Sequence, residues 1–196
     1  MTSTPTNFRG VVIGGSAGSL DAFKTILSGL PENFPVPIIV VQHRASDDNG
    51  FLASFLDDSC PLSVSEAEIG DLAIAGCVYV APAGYHLLVE MDGTFALTID
   101  PKYNYVRPAI DILFESAADY YDEGLLGVLL TGGSDDGTLG LNRIKELGGS
   151  TIVQDPELAE AYLMPRSAID AGVADHVVAL DEIDQKICDI MGVERY

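Results

Sequence analysis

Short apolar runs punctuate the chain. Val11-Val12-Ile13 ends in Gly14-Gly15, residues 37–42 read PIIVVQ, and Val78-Tyr79-Val80 follows; residues 127–131, 151–153 and 176–180 repeat the signature. Branched apolar runs without alternation suit strands buried on both faces of a parallel sheet. Between them, residues 20–30, 51–56, 110–121 and 139–147 carry helical spacing. In the middle, residues 85–90 and 94–100 alternate apolar with polar around Met91-Asp92-Gly93. Asp-Gly between alternating runs is a strong hairpin signal. Strands alternating with helices, plus one hairpin, predict a three-layer α/β/α domain with a mostly parallel sheet and an antiparallel hairpin. One domain over residues 8–190 is expected, with 1–7 and 191–196 as flexible termini.

Composition adds bounds. The 196 residues are 47% hydrophobic, which fits one globular domain and is too apolar for a disordered chain. Ten Lys+Arg against thirty Asp+Glu give a net charge of −20. Phosphate binding needs a basic face, so the balance argues against nucleic acid and against docking on an anionic membrane. No apolar run approaches the roughly 20 residues of a membrane span. Residues 1–10 lack the apolar core of a secretory signal. Cys60, Cys77 and Cys188 are odd in number, widely spaced and outside any CxxC, so they read as reduced thiols of a cytosolic protein. Between Arg44 and Lys102 there is no basic residue. Ten acids fall there: Asp47, Asp48, Asp57, Asp58, Glu66, Glu68, Asp71, Glu90, Asp92 and Asp100. This stretch reads as a solvated acidic surface or as repulsion of wrong partners.

In an open parallel sheet, ligands gather beyond the carboxyl ends of the strands. Three predicted strands end in reactive or flexible residues: Gly14-Gly15-Ser16-Ala17-Gly18, Gln42-His43-Arg44, and Thr131-Gly132-Gly133-Ser134-Asp135-Asp136-Gly137. The first has the G-x-S-x-G spacing of a nucleophile elbow, where small neighbours let a sharp turn expose a serine hydroxyl at a helix start. A Gly-rich phosphate cradle is the alternative; G-x-G-x-x-G fails in both frames and no Gly-Lys-Ser/Thr occurs. His43 is either a packed strand-end residue or the base that a serine hydroxyl needs. Asp136 could orient that imidazole, or Asp135 or Asp136 could cap the helix beginning near Thr138. His176 reads as structural and His86 as bordering the site. No His/Cys/Asp cluster has metal-ligand spacing, so neither metal nor cofactor is expected.

Several stretches in order carry a resemblance: Ile13-Gly14-Gly15-Ser16-Ala17-Gly18-Ser19, Val41-Gln42-His43, Val80-Ala81-Pro82-Ala83-Gly84 with His86, Arg107-Pro108-Ala109-Ile110-Asp111, Gly127-Val128-Leu129-Leu130-Thr131-Gly132, Asp136-Gly137 and Met164-Pro165-Arg166. Together they resemble the catalytic domain of the chemotaxis protein-glutamate methylesterase (CheB) family. The order Ser…His…Asp also differs from the Ser…Asp…His of α/β-hydrolases. The resemblance implies cytoplasmic hydrolysis of γ-glutamyl methyl esters on chemoreceptor helices, with deamidation of receptor glutamines as a companion activity. It implies Ser16 as nucleophile, His43 as general base, Asp136 as orienting carboxylate, and backbone N–H groups at Ala17 and Gly133 as oxyanion donors. Methylated receptor helices or a similar signalling protein are the implied partners. Receptor methylation segments in this family are rich in glutamate, so an acidic enzyme needs local positive charge. Arg44, Arg107 and Arg166 are the candidates for contact with substrate, with His86 beside them.

The chain departs from the family in places. The turn usually reads Ala-Ser-Thr-Gly-Gly, whereas Gly15-Ser16-Ala17-Gly18-Ser19 stands here, and Gly133 replaces a frequent methionine. The family's N-terminal phosphoacceptor (receiver) domain has no counterpart in these residues, so control by phosphorylation in cis is not expected. Two other readings share these residues: an esterase or amidase of the same fold acting on a non-receptor substrate, and a non-catalytic signalling interaction domain.

Overall fold

The computed structural model describes residues 8–44 and 50–195; the acidic pair Asp47 and Asp48, the expected flexible segment 1–7 and residue 196 lie outside the described residues. Seven parallel strands form one sheet: β1 (Gly10–Gly15), β2 (Ile38–Gln42), β3 (Ser63–Glu66), β4 (Cys77–Val80), β7 (Leu125–Leu129), β8 (Ser150–Gln154) and β9 (His176–Val178). Their order is β3-β4-β2-β1-β7-β8-β9. Every residue of β1 and β7 is buried, as strands covered on both faces must be. The antiparallel hairpin of β5 (His86–Val89) and β6 (Phe95–Thr98) is a separate two-stranded sheet and does not extend the main one.

Helices cover both faces. On one, α1 (Ser19–Ser28), α2 (Phe51–Asp57) and α6 (Ile183–Met191) bury Phe23, Ile26, Leu27, Leu52, Leu56, Ile183 and Ile187 against Val11, Ile13, Ile38, Val40 and Val128. On the other, α3 (Ile110–Tyr121), α4 (Thr138–Glu146) and α5 (Leu163–Asp170) join the hairpin against Val12, Ile39, Val41, Leu129 and Val153. The fold is thus three-layer α/β/α. Strand β3, α5 and α6 have no counterpart in the apolar pattern read from the sequence. Of the segment 191–196 expected to be flexible, Met191 is a buried residue that closes α6, and Arg195 pairs with the buried Asp184 of α6 at 2.9 Å.

One glycine decides how closely two helices beside the sheet approach. A Cβ at Gly140 on α4 would lie 2.4 Å from the Cβ of Phe114 on α3, a branch point that cannot swing aside. Gly140→Ala improves helix propensity by about 1 kcal/mol. Overpacking of this kind costs about 1–3 kcal/mol. We expect a net loss of stability, read as a lower urea midpoint; an unchanged or higher midpoint would show that α3 and α4 separate freely.

Candidate active site

The strand order sets β2, β1 and β7 side by side, so the three chemistry-bearing strand ends are neighbours. Gly15 pairs with Gln42 in the last β1–β2 register, and the His43 amide donates to the Gly15 carbonyl at 3.2 Å. Ser16 and His43 therefore leave adjacent strands at the same level. The serine turn is held from both sides. The Ser16 amide donates to the Thr131 carbonyl at 2.9 Å, and the Ser16 carbonyl accepts from the Ser19 amide at 3.0 Å and the Ser19 hydroxyl at 2.6 Å. Gln42 Nε2 donates to that hydroxyl at 2.9 Å. The turn needs its glycines: a Cβ at Gly15 would meet the Ser19 Cβ at 2.6 Å, and Gly18 has φ 76°. Thr131 ties the turn to the opposite loop, its hydroxyl donating to the Ala17 carbonyl at 2.9 Å and accepting from the Ala161 amide at 2.8 Å.

His43 Nε2 lies 2.6 Å from Asp136 Oδ2. Asp136 has no exposed surface and the His43 side chain is 10% exposed. Burial opposes the Asp136 charge. The hydrogen bond from His43 and the amides of Asp111 and Ile110 outweigh it, so the carboxyl is held below the ordinary range. An ionised Asp136 makes Nε2 the protonated nitrogen of neutral His43, which leaves Nδ1 as the basic one.

The helix ends beside this pair lack side-chain caps of their own, and each borrows one. Asp136, which precedes α4, caps α3: its Oδ2 accepts from Ile110 N–H at 2.8 Å and its Oδ1 from Asp111 N–H at 2.9 Å. Asp111, in the first turn of α3, caps α4: its Oδ1 accepts from Gly137 N–H and Gly140 N–H, both at 2.8 Å. Capping of α4 by the side chain of Asp135 or Asp136, one of the two readings of that loop, is thus replaced by Asp111. Burial and the neighbouring Asp136 charge push the Asp111 carboxyl up to about 7.

The residues expected to contact substrate sit differently. His86 is fully buried; its Nδ1 accepts from Ala109 N–H at 3.3 Å and its Nε2 faces the Pro101 carbonyl at 3.3 Å. Burial lowers its pKa, so it is a neutral wedge behind α3 and not a surface contact. The Arg44 side chain is only 4% exposed; it donates to the Ala81 carbonyl and lies 3.6 Å from Glu66. It is an internal tie, which removes it from the substrate-facing set. Arg107 donates to the Ile99 and Asp100 carbonyls at 2.7 and 2.9 Å, and Arg166 pairs with Glu157 at 2.6 Å on the surface. Ala17 and Gly133 are exposed, and a Cβ on Gly133 would meet nothing within 4 Å. A cavity of about 620 Å³ between β9 and α6 contains none of these groups. Among the described residues, no group of three His, Cys, Asp or Glu side chains could hold a metal ion.

The model of the CheB methylesterase family matches residues 11–187. The chain belongs to the CheB methylesterase family. It is similar to the crystal structure of the Thermotoga maritima CheB methylesterase catalytic domain, with a TM-score of 0.90 and 39% identity over 93% of this chain and 98% of that one. A Leptospira interrogans protein named as a candidate protein-glutamate methylesterase/protein-glutamine glutaminase is 48% identical over 177 residues, 90% of this chain and 92% of that protein. The Thermotoga maritima protein-glutamate methylesterase/protein-glutamine glutaminase is 40% identical over 184 residues, and the match spans 54% of its length. The family is one of carboxylic ester hydrolases.

Within this CheB-family frame, Ser19 explains itself: the hydroxyl that replaces the family's glycine clamps the Ser16 carbonyl. Thr131 and Asp111 carry as much of the geometry as the residues singled out from sequence. Thr131 ends an apolar run, a signal of position alone, and an acid in a helix's first turn reads only as a complement to that helix's dipole.

The two carboxyls pull stability in opposite directions with pH. Asp136 is depressed, so its contribution is lost as pH falls below the ordinary carboxylate range. Asp111 is raised from 3.8 to about 7, so its contribution is complete below the lower value and is lost as pH rises through the higher. Asp111→Asn, a neutral isostere, escapes that loss. Wild type should weaken relative to this variant between about pH 5 and about pH 8, read from paired urea midpoints. A pH-independent difference would show that Asp111 is already ionised at the acid end.

Proposed function

We propose that this chain is a protein-glutamate methylesterase that works through Ser16, His43 and Asp136. The observation that carries the reading is the buried 2.6 Å contact between His43 and Asp136, at the strand end beside the Ser16 turn. In the reaction, His43 Nδ1 takes the Ser16 hydroxyl proton as Oγ attacks the γ-carbonyl of a methylated glutamate. The tetrahedral oxyanion is held by N–H groups of Ala17 and Gly133; one such donor is worth about 10²–10³ in rate. The C–O bond to methanol breaks as the imidazolium returns its proton to the leaving oxygen. Water, deprotonated by His43, then cleaves the glutamyl-serine ester, and the proton returns to Ser16. A glutamine side chain would follow the same path with ammonia leaving. Asp136 keeps its charge throughout and stabilises the imidazolium.

The substrate is a methylated chemoreceptor segment in the cytoplasm, and residues 8–190 act as one catalytic unit. A segment rich in glutamate approaching a chain of charge −20 meets overall repulsion. Arg107 and Arg166 are the partly exposed cations among the residues that mark the site, and they supply the local attraction. Methanol release from methylated receptor fragments tests the reading. Ser16→Ala should lower release by at least about 10³-fold in a protein that folds normally. Release by that variant at the wild-type rate would remove Ser16 from the mechanism. A wild-type enzyme that cleaves a small methyl ester but no receptor fragment would instead point to a non-receptor substrate.

A further inference from the structure

Asp136 and Asp111 close a ring of hydrogen bonds that runs through both helix starts. From Asp136 the backbone passes to Gly137, whose N–H is held by Asp111 Oδ1; from Asp111 the backbone N–H returns to Asp136 Oδ1. Two more bonds brace the ring, from Gly140 to Asp111 and from Ile110 to Asp136. The Asp136 carboxylate therefore cannot turn without moving α3, and α3 cannot turn without releasing α4. Its remaining direction is toward His43. Asp111 touches neither His43 nor the Ser16 turn through any of these bonds, so it would act only through Asp136. Resting on the reading of Ser16, His43 and Asp136 as a triad, we propose that Asp111 is a positioning residue for the reaction, a buried second carboxyl that fixes Asp136 and so aims His43.

The charge arrangement agrees with this role. Each carboxyl is bonded to the helix start that carries the other, and the Asp136 charge beside Asp111 favours a proton on Asp111, which leaves a single negative charge for His43 to face. The titratable groups around the ring are His43 from β2, Asp135 in the loop before α4, Glu115 one turn along α3, and Tyr103 in the turn that leads into α3. His86, beside the start of α3, also feels the Asp136 charge, but burial lowers its pKa and its Nδ1 accepts from Ala109 N–H, so His43, which contacts Asp136 directly, is the imidazolium that this one anion faces. A plain helix cap would contribute to the stability of α4 and leave the rate of each folded molecule alone.

The test is the rate at which a fluorophosphonate labels Ser16, measured per folded molecule, with folding followed by circular dichroism. In labelling, Ser16 Oγ bonds to phosphorus, the P–F bond breaks with fluoride leaving, and His43 takes the serine proton. The rate thus reports His43 activation without a receptor substrate. Asp111→Ala should label at least about tenfold more slowly, since small misplacements of a catalytic group can cost up to about 10²-fold. Asp111→Asn, which keeps the acceptor oxygen and the neutral charge, should restore the rate to within about threefold of wild type. Folded Asp111→Ala labelled at the wild-type rate would reduce Asp111 to a cap, and an Asn variant as slow as Ala would deny that the acceptor geometry matters. If Asp111→Ala does not fold, Asp111→Ser decides on the same scale: slower labelling supports the role and wild-type labelling overturns it. A wild-type protein that resists the probe overturns the serine-nucleophile reading and this proposal together. One that labels but releases no methanol from receptor fragments leaves Asp111 in place and fails only the substrate.

Discussion

A carboxylate with no exposed surface stays ionised only when its charge is answered on every side, and the organisation of this site follows from answering Asp136. Breaking a buried pair by removing one partner costs about 3–5 kcal/mol, because the survivor is left charged and dry. Here His43 satisfies one direction, and the first two amides of α3 satisfy the others. Those amides are in reach only because α3 packs on β1 and β7 with its start pointing at the loop after β7. The helix start supplies a favourable dipole as well as donors.

The parallel sheet sets that buried pair beside the serine turn. His43 and Asp136 are 93 positions apart in sequence, and Ser16 follows a third strand, β1. Order β2-β1-β7 puts their strand ends in one row without any chain segment built for the purpose. Thr131 and Ser19 then fix the serine turn by its backbone. Small residues make the closeness possible, as at Gly15 against Ser19 and at Gly140 against Phe114.

How much of this is legible in the sequence depends on whether the signal is local. Helix α3 was readable to its ends because its apolar spacing is strong, and the central strands because branched runs have one good interpretation. Strand β3 was not: SVSE carries one buried residue on an edge strand. Helix α5 hides behind Pro165, which reads as a breaker although the first helical turn tolerates proline. Ser16, His43 and Asp136 could be named because a G-x-S-x-G turn, a histidine that closes an apolar run and a Gly-rich acidic loop are local signals, and they occur in the order of the family they resemble. Their setting could not. The swap of caps between Asp136 and Asp111 joins two helix starts that local sequence treats as independent, and the enclosure of His86 and Arg44 is set by packing that no short motif describes. The strong acidity constrained the class of partner and said nothing of which arginines remain available.

The orientation of His43 is the point on which the chemistry turns. In the familiar serine-hydrolase arrangement the carboxylate holds Nδ1 and the serine faces Nε2; here Asp136 holds Nε2, so in the proposed mechanism Nδ1 is the nitrogen that serves Ser16. Nitrogen-15 NMR of the imidazole at neutral pH, with His43→Gln used for assignment against His86 and His176, reads this directly. His43 should show a protonated Nε2 coupled to a strongly downfield proton and an unprotonated Nδ1. A protonated Nδ1, or an Nε2 proton in free exchange with solvent, would contradict the arrangement.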